Sequence, residues 1–255
     1  MSPNPPSLVR AFRQDGFVHV PGLLSPSQVQ GALASFERLR RAASRLPGTT
    51  ELGGSLFVLG DGPRGRSVAR VVWCGGAEPP LLAIGRHPAV VGLAATLLRS
   101  RDLVHIINQA HFKEPGDGVA FPWHQDSAHR RYGTPEWTDV DGEGSFVEIV
   151  VALDPMDETN GGLRFLPGSH RDGHLPHDAD RNLRDPVSDD GAVLLPLQPG
   201  DAVAFGPYVV HGSAPNEGAY ARRTLLNGFA LPGANRRVYP GCGVGEPVSF
   251  SGLRC

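Results

Sequence analysis

Within Phe121-Pro-Trp-His-Gln-Asp126 an imidazole and a carboxylate, His124 and Asp126, are separated by one residue. In extended chain, side chains two apart point the same way, so this pair could grip one ion. Two ligands do not make a site. The best third candidate is His211 in Tyr208-Val-Val-His-Gly-Ser213, at the end of a short apolar run. Two histidines and one carboxylate form a facial triad, the ligand set that leaves non-haem Fe(II) open positions for a bidentate co-substrate and O2. Eleven residues later stands Arg222, followed by a second arginine, Arg223; a guanidinium does not deprotonate and its fork fits a carboxylate. In a strand these two arginines must face opposite ways.

Around these residues the chain resembles the phytanoyl-CoA dioxygenase family of Fe(II)/2-oxoglutarate-dependent oxygenases. The resemblance is carried by Trp123-His-Gln-Asp126, Thr159-Asn-Gly-Gly-Leu-Arg-Phe-Leu-Pro-Gly-Ser-His170, Gly200-Asp-Ala-Val-Ala-Phe205 and His211-Gly-Ser-Ala-Pro-Asn216 followed by Arg222. It includes the opening run Asp15-Gly-Phe-Val-His-Val-Pro-Gly-Leu-Leu24. It implies that His124, Asp126 and His211 hold Fe(II). It also implies that Arg222, rather than Arg223, pairs with the distal carboxylate of 2-oxoglutarate, helped by Ser213. O2 is the second co-substrate, and succinate and CO2 are released as a C–H bond of the substrate is attacked. Hydroxylation is the simplest outcome; relatives divert the substrate radical to ring closure, epimerisation or desaturation. Halogenating relatives replace the carboxylate ligand with a small residue, so Asp126 implies an oxygenase that is not a halogenase. Val150 falls where relatives often carry a tryptophan beside the co-substrate.

The elements that must position these residues read as a mainly β fold with flanking α-helices, a double-stranded β-helix of the cupin-like, jelly-roll type. Short apolar or alternating runs separated by Gly, Pro, Asn and Asp are its signature. They cover 103–113, 119–123, 146–153, 162–166, 192–197, 201–205, 208–210 and 222–231. Upstream, residues 6–14 and the stretch from Ser25 to about Arg45 have helical apolar spacing, with Ser25-Pro26 as N-cap and first-turn proline. Phe17–Val20 and 68–74 read as strands and 87–98 as a buried helix. Residues 47–67, rich in Gly and polar side chains, read as a loop or flap in which Leu56–Leu59 could form a short strand. This describes one domain, with a helical part at about 1–100, a jelly-roll core at about 101–232 and a tail at 233–255.

Two long loops interrupt the core. Residues 129–145 follow the His-x-Asp pair and are expected to border the site; residues 170–191 are highly charged and expected to be mobile. Arg130, Arg131 and Trp137 in the first loop are candidates to meet substrate, the arginines an anionic one. Gln109 and Lys113 share a face of the 103–113 strand. Gln109 is a candidate co-substrate contact and Lys113 a candidate substrate contact. Asn160 to His170 reads as turn chemistry and so as structural. His170, His174 and His177 lack strand periodicity and are poor ligands.

Composition bounds the function. With 255 residues, 40% of them hydrophobic, a sizeable core can form. A formal net charge of −2 offers no basic field, so no nucleic-acid partner is expected. Cys74, Cys242 and Cys255 are too few and too scattered for a disulfide framework or a zinc motif, and fit a reducing cytoplasm. The start Met-Ser-Pro-Asn-Pro-Pro-Ser lacks the apolar core of a signal peptide, and no stretch reaches the roughly 18 apolar residues of a membrane helix. The expected partner is a small-molecule substrate, with no membrane, in a monomer or homodimer. Of 24 basic residues only Lys113 is lysine, a bias of GC-rich bacterial genomes that fits bacterial secondary metabolism such as antibiotic biosynthesis. Two other readings of the same pattern are a cupin-like metalloenzyme without 2-oxoglutarate and a non-catalytic ligand-binding jelly roll.

Overall fold

The computed structural model describes residues 5–62 and 65–251; Cys255 and the first four residues lie outside them. The chain opens with α1 (Pro5–Asp15), β1 (Phe17–Val20) and α2 (Pro26–Ala43). Helix α2 starts where the sequence places it: the Ser25 hydroxyl accepts from the Gln28 amide, and the Gln28 side chain accepts from the Ser25 amide, a closed capping box. Strands β2 (Thr50–Leu52), β3 (Ser55–Gly62) and β4 (Gly65–Val72) follow, then helices α3 (Pro79–Gly85) and α4 (Pro88–Leu98). The core comprises β5 (Asp102–Lys113), β6 (Phe121–His124), the one-turn α5 (Asp126–His129), β7 (Phe146–Ala152), β8 (Arg164–Phe165), β9 (Val193–Leu194), β10 (Ala202–Phe205), β11 (His211–Ser213) and β12 (Arg222–Ala230). A last strand, β13 (Glu246–Ser249), returns to pair with β5.

The strands form two antiparallel sheets. The large one runs β1-β10-β7-β12-β5-β4-β3-β2, and the small one β6-β11-β8-β9. Alternation then sorts the side chains. From β5, β7 and β12, Phe112, Val147, Ile149, Val151 and Leu225 point to one face and join α2 and α4 in the main core; Phe112 meets Phe36 of α2 with ring centroids 4.9 Å apart. Gln109, His111, Glu148, Val150, Arg222, Thr224 and Leu226 point to the other, toward the small sheet, and line a cavity. One sheet thus has a dry face that packs and a chemical face that binds.

Three expectations change. The described residues of 47–67 are paired antiparallel strands (β2 with β3, β3 with β4) extending the large sheet rather than a flap: Leu52 pairs with Ser55 across Gly53-Gly54, both at positive φ (60° and 75°), the two-residue turn that matches strand twist. The exposed edge needs few apolar residues, so its composition imitates a loop. The helical region therefore supplies four strands, and the tail a fifth. Residues 208–210 are a turn, and the strand begins at His211 instead of ending before it. No single described helix is long and apolar enough to cross a membrane; α3 and α4 are apolar because they are buried in the core.

Candidate active site

His124 closes β6 and Asp126 opens α5, so the pair straddles a strand end. Gln125 between them keeps extended dihedrals (φ −117°, ψ 140°), which preserves the alternation that aims both side chains one way. The Gln125 amide holds this corner by donating to Gly173 O (2.9 Å) and to Tyr208 O, while its Oε1 accepts from the Leu175 amide (2.8 Å). His211 is the register partner of His124 on β11, and the ladder shifts between His211 and Ser213, an irregularity common beside sites.

The ligand atoms of His124, Asp126 and His211 lie within 4.8 Å of one another, close enough for one ion. The donor set fits a metal in a second respect. Nδ1 of His124 donates to Pro122 O (2.7 Å) and Nδ1 of His211 to Val209 O (3.1 Å). Each bond fixes the tautomer that leaves Nε2 unprotonated for coordination. Asp126 Oδ2 is buried without a partner, an orphan that a cation would satisfy. Burial pushes the His211 imidazolium down to about 4, with His124 adding to it and Asp126 opposing. Burial alone would raise the Asp126 carboxyl, but His211, Arg130 and His124 hold it below the usual range. Neutral imidazoles and a carboxylate are the protonation states that bind metal.

Beside the triad is a second constellation. Arg222 and Lys113 are register partners at the ends of β12 and β5, 2% and 1% exposed. Among the described residues no carboxylate lies within 4.0 Å of either. Arg222 donates to Gly161 O (2.9 Å) and more weakly to Thr224 Oγ1 (3.4 Å), and its Nε has no partner. Lys113 Nζ donates to Ser213 Oγ (2.7 Å) and to Ala214 O, 5.3 Å above the Phe121 ring. Two buried cations without a counter-ion are costly unless an anion joins them. Their pKa values say the same: burial, then Arg222, pushes Lys113 from 10.5 down to about 6, and burial lowers Arg222 to about 10. Arg223 faces away and pairs with Asp154 (2.8 Å) and Glu37 (3.1 Å).

The cavity has a volume of about 310 Å³, a small-molecule scale. Gln109, Ser213, Arg222, Arg130 and the three triad residues all line it. Gln109 Oε1 accepts from His111 Nε2 (3.1 Å), and His111 stacks on Phe121. Three expected substrate contacts are placed elsewhere. Lys113 sits behind Ser213, at the Arg222 end. Arg131 lies at the surface, 3.8 Å from Glu136. Trp137 is buried between Tyr132 (5.0 Å, stacked) and Phe146 (6.1 Å, edge-on) and packs the core under the loop. The aromatic expected to meet substrate packs under its own loop instead, because burial of its large apolar ring is met there.

Several wall residues escaped the sequence reading. Glu148, His111 and Thr224 were within reach of it: each sits two places from a wall residue on its own strand. Glu148 is buried with Oε2 unpartnered, and burial followed by Asp126 raises its carboxyl well above the ordinary range. Arg70 from β4, Arg181 from the charged loop and Arg237 from the tail had no local signal. That loop is also tied down where mobility was expected: besides its two bonds to Gln125, His174 Nδ1 bonds Ser127 Oγ (2.7 Å). The turn motif around Asn160 has a role beyond its own shape, because Gly161 O anchors Arg222.

A two-sheet barrel with an inward His-Asp-His triad defines a class, the jelly-roll non-haem iron oxygenases. The sequence model of the phytanoyl-CoA dioxygenase (PhyH) family matches residues 12–224, and the chain belongs to that family. It is thereby an Fe(II)-, 2-oxoglutarate- and O2-dependent dioxygenase. It is 28% identical over 240 residues to L-proline trans-4-hydroxylase of Streptomyces griseoviridis, covering 84% of this chain and 82% of that protein. It is 30% identical over 262 residues to ectoine dioxygenase of Nocardia farcinica, covering 90% and 82%. The crystal structure of EvdO2 from Micromonospora carbonacea var. aurantiaca complexed with 2-oxoglutarate superposes with a TM-score of 0.70 at 25% identity, over 97% of this chain and 94% of that one.

Proposed function

We propose that this oxygenase attacks an aliphatic C–H bond of a small molecule in bacterial secondary metabolism, by hydroxylation or a related radical outcome such as cyclisation or epimerisation. In this reading His124, Asp126 and His211 are the metal ligands, and Arg222, Ser213 and Gln109 bind 2-oxoglutarate, with Lys113 joining them. The observation that carries the assignment is the pairing of an orphaned Asp126 oxygen between two correctly tautomerised histidines with two buried cations lacking a counter-ion. The first asks for a cation and the second for an anion.

When bound, iron with 2-oxoglutarate and O2 supplies an oxidant able to break an unactivated C–H bond, at the expense of decarboxylating the co-substrate to succinate. The protein's residues position and exclude water. Arg222 Nε and the Ser213 hydroxyl take the distal carboxylate, and the Lys113 ammonium behind Ser213 adds charge. Gly161 O and Thr224 Oγ1 keep the guanidinium from swinging into the cavity. Leu163, Val150, Phe205 and Leu226 line the cavity with apolar surface.

The test is anaerobic addition of Fe(II) and 2-oxoglutarate to the purified protein, following the weak visible charge-transfer band of the bidentate complex. The band is expected in wild type, absent in His124→Ala, and absent in Arg222→Ala at moderate co-substrate concentration. Iron binding without a band in wild type would overturn the co-substrate assignment.

A further inference from the structure

The cavity wall carries more positive charge than the co-substrate reading uses. Five arginines line the wall, Arg70, Arg130, Arg181, Arg222 and Arg237, against two acidic groups, Asp126 and Glu148, so that even with Glu148 counted as ionised the formal excess is three positive charges. A divalent iron and a dianionic 2-oxoglutarate cancel each other and leave that excess standing. Setting aside Arg222, four guanidinium groups arrive from four separate segments: β4, the residue after α5, the 170–191 loop and the tail. Among the described residues none has a carboxylate within 4.0 Å, although nine other arginines do.

Two of the four are partly occupied by structural work. Arg130 is 7% exposed, lies over the rings of Phe146 (5.3 Å) and Tyr239 (5.6 Å) and donates to the Tyr239 hydroxyl (3.3 Å), yet its Nε is buried without a partner. Arg237 lies over Tyr239 (4.9 Å) and donates to His129 O. Among the described residues Arg70 and Arg181 have no such side-chain partners. Arg70 stands opposite His111 in the β4–β5 ladder, so it shares the cavity face of the sheet. Arg181 is held at the tip of a small turn in which the Asp178 carboxylate accepts from the Asn182 amide (2.9 Å) and His177 bridges to Leu183; its Nε is buried and unpartnered. The groups also feel one another: after burial, Arg181 and Arg130 lower the Arg70 guanidinium, and burial, then Arg130, Arg181 and Arg131, lower Arg237 against the raising effect of Tyr239, whereas Arg130 itself is raised by Tyr239, Asp126 and Glu148 against burial. Mutual repulsion on one wall is a cost that a bound anion removes.

We propose that the substrate carries an oxyanion, a carboxylate or a phosphate ester, seated between Arg70 and Arg181 with Arg130 and Arg237 behind it. This rests on the oxygenase reading above, because it assigns the wall that reading leaves to substrate. The neighbouring Leu56, Val72, Phe121 and Pro240 leave apolar surface for the rest of the molecule. An anion at the rim fixes one end of the substrate so that a chosen carbon faces the triad, without any side chain acting on that carbon.

The experiment is anaerobic calorimetric titration of protein carrying Fe(II) and 2-oxoglutarate with phenylacetate, its neutral analogue phenylacetamide, and phenyl phosphate. Wild type is expected to bind at least one anion about tenfold or more tightly than the amide. The tighter anion names the group. Arg70→Gln/Arg181→Gln is expected to erase the preference, with its charge-transfer band as control for fold and co-substrate. As a measurement independent of any variant, raising salt is expected to weaken anion binding several-fold and leave the amide unchanged. Equal binding of acid and amide, a preference that survives in the double variant, or no anion binding at about 10 mM would overturn the proposal. A missing band in wild type counts against the co-substrate reading instead, and the acid–amide comparison is still read.

Discussion

Two sets of cations, an inner one at and behind the cavity wall and an outer one along it, are built in different ways. The inner set, Arg222 and Lys113, lies on paired strands, is fully buried, and is held by the carbonyls of Gly161 and Ala214 and the hydroxyl of Ser213. The outer set comes from β4 between β5 and β3, two loops and the tail, ranges from buried Arg130 to exposed Arg70, and leans on aromatic faces or on nothing. A co-substrate common to a family can be met by rigid strands. A substrate peculiar to one member is met by segments free to vary.

Breaking the shared centre should have the largest effect. His211→Ala removes one of the three proposed ligands and is expected to reduce bound iron and turnover to background, measured by metal content and succinate release. Next, Arg222→Ala should raise the Kd for 2-oxoglutarate about 100-fold, the loss of charged hydrogen bonds worth roughly 3 kcal/mol. Its neighbour sharpens the contrast: Arg223→Ala should leave that Kd unchanged and lower Tm by a few degrees. If both arginines moved the Kd alike, strand alternation would not be what separates them.

Lys113→Met should weaken 2-oxoglutarate about tenfold. It also carries a pH signature. Lys113 titrates at about 6 in the fold and at its ordinary 10.5 when unfolded, so between these values the unfolded chain holds the extra proton. Wild-type stability relative to Lys113→Met should therefore rise with pH across that window. Thermal melts of the two apo proteins at several pH values between 6 and 9 check the sign. Gly161→Ala tests the Arg222 anchor: Gly161 sits at φ +71° and a Cβ there would collide with Ala214 O. A several-fold loss of 2-oxoglutarate affinity with a lower Tm is expected. Smallest is Arg131→Ala, a surface change that should leave KM within error and stability within about 0.5 kcal/mol.

Much of the inner set was legible in the chain. Strand period placed Gln109 and Lys113 on one face, and the resemblance selected Arg222 over Arg223, which the sheet then separates. The same period, applied one step further, would have included His111 and Glu148. The 47–67 region misled because an edge strand with an exposed face has the composition of a loop, although Gly53-Gly54 was a hairpin signal. Trp137 misled because a loop residue can pack under its own loop.

By itself the sequence determined the His124/Asp126 pair and the β-rich class, since these depend on a two-residue spacing and on turn chemistry that the chain carries locally; the resemblance added His211 as third ligand and the proposed co-substrate role of Arg222. Only the tertiary structure decided which arginines share a wall. Arg70, Arg130, Arg181 and Arg237 span 167 positions of sequence (237 minus 70), and no local pattern encodes their meeting. Sheet order, loop anchoring at Gln125 and the return of the tail along β5 bring them together, and those are properties of packing.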